Sequence, residues 1–156
     1  MTAIEASFVK YGINTFLSTK LSFWNQFYDM CENIGADYNT IKTAIGTDVR
    51  VGSGHMNVPG HDGRRGFGGA CLQKDSNAFM RESGGSMSVL IDAVRFNNAI
   101  RSQYTELLDR EKEQGVSFKK WLDPAETAIS RPAILFTEGG KMSYEYKIKV
   151  FSAEWC

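Results

Sequence analysis

One apolar period near the start of this chain limits its fold more than any other feature. Val9, Ile13, Phe16, Leu17, Trp24, Phe27, Tyr28, Cys31 and Ile34 recur mostly at three- and four-residue steps, the spacing that lines side chains along an α-helix. This predicts a single helix over residues 5–34, with Gly35 as its left-handed stop. About 30 helical residues span roughly 45 Å, more than one domain of a 156-residue chain needs. So long a helix either continues into a neighbouring domain or packs against a second subunit, and its apolar surface makes a homodimer formed through this helix the expected partner.

The remaining pattern is mostly helical. Asp37 can cap a short helix over 38–45. A third helix is expected from about Cys71 to Glu82, and a fourth from after Ser86 to about Gln114, with Val89, Leu90, Ala93, Val94, Ile100, Tyr104, Leu107 and Leu108 facing inward. Its end, LLDREKEQG, reads as a solvated charged terminus. Asp123-Pro124 opens a short helix to about Ile129. The period then changes to two: Tyr144, Tyr146, Ile148 and Val150 alternate with Glu145, Lys147 and Lys149, and Ala133–Thr137 can pair with them as a hairpin. The expected fold is mainly α, a helical domain over 1–130 with a small C-terminal β-hairpin extension over 131–156.

Charge and composition exclude several classes. Eighteen Lys and Arg balance 18 Asp and Glu, without the basic excess of a nucleic-acid binder. No segment approaches about 18 uninterrupted apolar residues, so no membrane helix is expected, and MTAIEASFVKYG is not a secretory signal. Cys31, Cys71 and Cys156 show no paired spacing, which points to a reducing, cytoplasmic setting rather than a disulfide framework. Cys31 falls on the apolar stripe and reads as core; Cys156 is terminal and is assigned no role.

Regularity disappears between residues 46 and 69, where eight of the chain's 15 glycines lie. A loop this long is either functional or disordered, and it runs straight into GFGGACLQKD, residues 66–75. Cys71 is either a small apolar filler or a nucleophile. Three features favour the nucleophile. Gly66, Gly68 and Gly69 allow close approach to the backbone. A helix start offers unpaired N–H groups that stabilise a thiolate. Lys74 and Asp75 place a cation and a carboxylate within one turn. Lys10 and Asn14, four apart on the first helix, share one face. They are either a solvated pair or donors aimed at an oxygen that gains negative charge. GFGG follows no strand and is not a dinucleotide fingerprint. His55 and His61, with Asp62 or Cys71, match no standard zinc spacing, so no metal site is assigned.

Taken together, EASFVKYGINTFLSTKLSFWNQF, DVRVG at residues 48–52 and GFGGACLQKDSNAF resemble the central domain of the UDP-glucose/GDP-mannose (nucleotide-sugar) 6-dehydrogenases over about residues 3–100. That family oxidises a sugar C6 alcohol to the acid with NAD. The resemblance implies that Cys71 forms a thiohemiacetal and then a thioester. It implies that Lys10 and Asn14 stabilise the oxyanion or a water, and that Asp75 helps activate the hydrolytic water. Lys74 would support pocket charge, Gly66, Phe67, Gly68 and Gly69 would surround the sugar, and Arg50 would reach a nucleotide sugar across a subunit interface. Gln73 stands where the family commonly has proline. No Rossmann segment is recognisable, so NAD would be bound by a domain in cis or trans and the chain alone is expected to be inactive. The hairpin matches nothing in the family, and its presence supports the alternative of a non-catalytic helical dimerisation module.

Overall fold

The computed structural model describes residues 1–119. The expected helix over 123–129, the hairpin and Cys156 lie outside the described residues. Five helices follow in order: α1 (Ala3–Ile34), α2 (Tyr38–Gly46), α3 (Cys71–Glu82), α4 (Ser88–Arg101) and α5 (Asp109–Glu113). Helix α1 is the spine, and α3 and α4 pack side by side along it.

Local chemistry sets most helix ends. Thr2 and Glu5 form a reciprocal cap, with Glu5 N–H donating to Thr2 Oγ1 at 3.2 Å and Thr2 N–H to Glu5 Oε2 at 2.6 Å. This cap starts α1 at Ala3, earlier than the apolar period begins. Gly35 ends α1 in the left-handed conformation at φ 71°, as expected of a residue without Cβ. Asp37 then accepts from the amides of Asn39 and Thr40 and opens α2.

The apolar period of α1 does not mark the face that this domain buries. Thr15, Ser18, Ser22 and Asn25 are buried, whereas Phe16 is 66% exposed, Phe23 56% and Ile34 73%. Val9, Ile13 and Met30 are exposed with them. Trp24 and Cys31 lie on a flank and pack with Tyr38, Met56 and Val58, so Cys31 is core as expected. The single stripe divides because α3 and α4 approach α1 from its small, polar side. Small hydroxyls let the helices come close, and each is satisfied there: Ser76 Oγ donates to Ser18 Oγ at 2.8 Å and Ser22 Oγ to the Ala93 carbonyl at 2.8 Å. A second apolar cluster of Phe67, Met80, Leu90 and Val94 lies beneath them.

The fourth helix is shorter than its period suggests. It ends at Arg101, and the chain crosses 102–108 without helix before α5. Tertiary bonds outweigh helix propensity here. Breaking at 102 lets Tyr104 Oη accept from Arg65 N–H at 3.0 Å and lets Glu111 turn back under the glycine-rich loop. Asp109, Arg110, Lys112 and Glu113 are exposed, as expected of a solvated LLDREKEQG, but Glu111 is fully buried and corrects that reading at its own position. Val89 is also exposed rather than inward, and Leu90, Ala93, Val94, Asn97 and Asn98 form the buried face of α4.

Candidate functional site

The site centres on the first turn of α3. Cys71 is its first residue and its thiol is exposed. Ala70 precedes it and supplies no side-chain cap, leaving the first-turn amides without the usual side-chain acceptor. One turn later Asp75 projects from the same face and is buried against α1, only 2% exposed. Asn14 Nδ2 donates to Asp75 Oδ2 at 2.6 Å, and Lys10 Nζ lies 3.9 Å from the same oxygen. Lys10, Asn14 and Asp75 thus converge from two helices, with Asn14 and Asp75 lying 61 residues apart in the chain. Tyr11 stacks on Phe79 at 5.7 Å beside this cluster. Burial, reinforced by the Asp75 carboxylate, pushes the Tyr11 phenol up, while Lys10 works in the opposite direction.

Lys74 is exposed on the same first turn. Arg50 is exposed in the loop after α2, with its Nε 2.9 Å from Asp48 Oδ1. That loop is tied to α1 by Lys20 Nζ, which donates to the Val51 carbonyl at 2.8 Å. Arg50 therefore sits beside the exposed face of α1 and contacts Asp48 rather than the Lys10–Asn14–Asp75 cluster.

The glycine-rich loop is held by the chain itself. Gly66 N–H donates to Asn25 Oδ1 at 2.9 Å, Phe67 N–H to Asn97 Oδ1 at 2.6 Å and Gly69 N–H to Glu111 Oε1 at 3.0 Å. A Cβ on Gly66 would meet Asn97, and one on Gly68 would overlap Arg101 and Glu111. The room left by these two glycines is therefore filled from within, and the Phe67 ring packs into the core. Gly69 differs: at φ 75° no atom lies within 4 Å of where its Cβ would be, so its outer side is open. Asn25, Asn97, Arg101 and Glu111 escaped the sequence reading. Asn97-Asn98 in the middle of an apolar period was the available signal, because asparagine is a poor interior helix residue.

No helix among the described residues is long and apolar enough to cross a membrane. A shallow cavity of about 380 Å³ lies between α2 and the following loop, lined by Lys42, Thr43, Thr47, Ser53 and Asn57 among others; none of the candidate residues lines it.

Comparison with known proteins identifies the family of this chain. The profile of the UDP-glucose/GDP-mannose dehydrogenase family, central domain, matches residues 4–99. UDP-glucose 6-dehydrogenase of Rickettsia bellii (strain RML369-C) is 33% identical over 111 residues, 71% of this chain and 22% of that protein. UDP-glucose 6-dehydrogenase YwqF of Bacillus subtilis (strain 168) is 33% identical over 109 residues, 68% of this chain and 23% of that protein. UDP-glucose 6-dehydrogenase of Pseudomonas aeruginosa is 38% identical over 97 residues, 61% of this chain and 20% of that protein. The matched region is less than a quarter of each of these relatives' length. By the reach of the profile and the helices that carry it, this chain belongs to the UDP-glucose/GDP-mannose dehydrogenase family and contains its central domain.

Proposed function

We propose that this chain supplies the sulfur-bearing, substrate-side half of an NAD-dependent nucleotide-sugar 6-dehydrogenase acting on a UDP-sugar of the UDP-glucose type. The observation that carries this reading is the meeting of Lys10, Asn14 and Asp75 one helical turn from an exposed Cys71. In this reading the Cys71 thiolate attacks the C6 aldehyde carbon, and the carbonyl pair moves onto oxygen to give a thiohemiacetal. Lys10 and the second N–H of Asn14 meet that developing charge. After oxidation to the thioester, Asp75 orients and deprotonates a water. The water adds to the acyl carbon and expels the thiolate, leaving the acid.

NAD would accept a hydride twice, once from the C6 alcohol to give the aldehyde that Cys71 attacks and once from the thiohemiacetal to give the thioester. The glycine-loop amides of residues 66, 67 and 69 are already bonded to Asn25, Asn97 and Glu111 and are not free to donate to it. This supports a reading in which a dinucleotide-binding domain in cis or trans holds NAD and this chain alone turns over no nucleotide sugar. Lys74 and the open side of Gly69 face the sugar. Arg50 reaches the nucleotide of a second copy, which docks along the exposed apolar face of α1 and makes the functional unit a homodimer.

Iodoacetamide labelling followed by peptide mapping tests the nucleophile directly. Cys71 is expected to label in the native chain, and UDP-glucose is expected to slow that labelling by about ten-fold at saturation. Labelling indifferent to UDP-glucose and GDP-mannose alike would identify a helical dimerisation module without the reaction. In the enzyme assembled with a dinucleotide-binding domain, Cys71→Ser is expected to abolish acid formation while leaving the helical fold intact.

A further inference from the structure

Behind the glycine-rich loop lies a charged cluster that plays no part in the chemistry above. Arg101 is 1% exposed and Glu111 fully buried. Arg101 Nη2 donates to Glu111 Oε1 at 2.6 Å, and its Nη1 donates to Asp62 Oδ2 at 2.8 Å. The guanidinium fork thereby joins α5 to the loop that precedes Gly66. Glu111 Oε1 also accepts from Gly69 N–H, and Oε2 from Leu108 N–H at 2.9 Å. The faces of the guanidinium are covered by Phe118, 5.3 Å from ring centroid to Cζ, and by Tyr104 at 5.8 Å. Gly68 lies so close that any side chain there would collide with the pair.

Two charges are not removed from water at one spot without compensation. Burying an ion pair stabilises little against an apolar replacement, and its best-attested use is to specify one geometry. The geometry specified here is the path of residues 66–69, and the next helix begins two residues after Gly69. Helix α3 has no side-chain cap of its own. Its start is held instead from outside, through Gly69 N–H and Glu111.

We propose that Arg101 and Glu111 are positioning residues for Cys71: their buried pair pins Gly69, and through it fixes where the first turn of α3 presents the thiol. The proposal rests on the reading of Cys71 as the nucleophile, and its test does not use nucleotide sugar, so the two can fail separately. Asp62 is the third member, because it fixes the other prong of the fork. Arg101→Lys keeps the charge but cannot span both carboxylates. Glu111→Gln keeps volume and an acceptor oxygen while removing the ion pair.

The experiment attaches a nitroxide to Cys71 in the full chain carrying Cys156→Ser, with Cys31 buried and unreactive. A control chain, carrying Cys71→Ser and Cys156→Ser, bears the label at Val89→Cys on the exposed side of α4. In Glu111→Gln and in Arg101→Lys, the spectrum of the label at 71 is expected to gain a mobile component with a correlation time roughly two-fold shorter or more, while the label at 89 is unchanged. A role confined to global stability would lower the melting temperature and leave both folded-state spectra alone, and that result would overturn the proposal. A second measurement needs no substitution. In the native chain, Gly69 N–H is expected to exchange with solvent as slowly as the amides in the middle of α4; exchange as fast as the exposed loop at residues 53–55 would equally overturn it.

Discussion

The two sides of α1 are built in reverse of the usual order. The side that α3 and α4 cover carries Thr15, Ser18, Ser22 and Asn25, and the opposite side, open in the single chain, carries Val9, Ile13, Phe16, Phe23, Met30 and Ile34. Both are regular, and they solve different problems. The polar side brings three helices within hydroxyl contact and supplies Asn14 and Asn25 to Asp75 and Gly66. The apolar side is exposed among the described residues, and its residues 9, 13, 16, 23, 30 and 34 keep the spacing of a helix-pairing seam. Under the proposed homodimer, the hydrophobic period marks a face buried by assembly, and the structure shows that it is not the face buried in the fold of the described residues.

The largest expected effect comes from attacking the apolar side. Phe16→Glu together with Phe23→Glu should weaken self-association by roughly 100-fold or more, measured by sedimentation, while circular dichroism of the monomer stays unchanged. Equal loss of helix in the monomer would mean that this side is needed for folding. Next in size is the polar side. Asn25→Leu makes α1 more apolar yet leaves Gly66 N–H without its acceptor, and should cost about 1–3 kcal/mol in urea unfolding. A neutral or stabilising result would show that the buried seam does not depend on its hydrogen bonds.

Acid titration separates the two sides further. Burial opposes the charge on Glu111, but the amides of Leu108 and Gly69 and the Arg101 guanidinium more than offset it and hold the carboxyl below its ordinary value. A lowered folded value means that Glu111 contributes stability above the unfolded carboxyl value, about 4.3. That contribution disappears as pH falls through the folded one. Below about pH 4.3 the native chain should therefore lose stability more steeply than Glu111→Gln does; parallel curves would contradict this. The smallest effect is expected at Gly12, inside α1, where a Cβ would meet nothing within 4 Å. Gly12→Ala should stabilise the monomer by roughly 0.5–1 kcal/mol, and a loss instead would reveal a close neighbour at that point.

These contrasts also explain what the sequence disclosed. The start of α2 and the end of α1 were legible because Asp37 and Gly35 act within a few residues of themselves. The Lys10–Asn14 pair was legible as two donors on one face, but that both meet Asp75 appears only in the fold, which brings α3 against α1. The polar packing side of α1 was hidden, since periodicity counts apolar residues and here they mark the other face. The break at 102 and the burial of Glu111 were hidden for a different reason: both depend on contacts with residues 62–69 that no local pattern announces. Glu111 looked like part of a solvated charged terminus until the fold brought it, with Arg101, under Gly68.

Sedimentation equilibrium of the unaltered chain at micromolar concentration tests the division of α1 most directly. The account predicts the mass of two chains, reverting to one when Phe16 and Phe23 are both replaced by Glu. A single-chain mass for the unaltered protein, with Phe16 and Phe23 in contact with water, would contradict it.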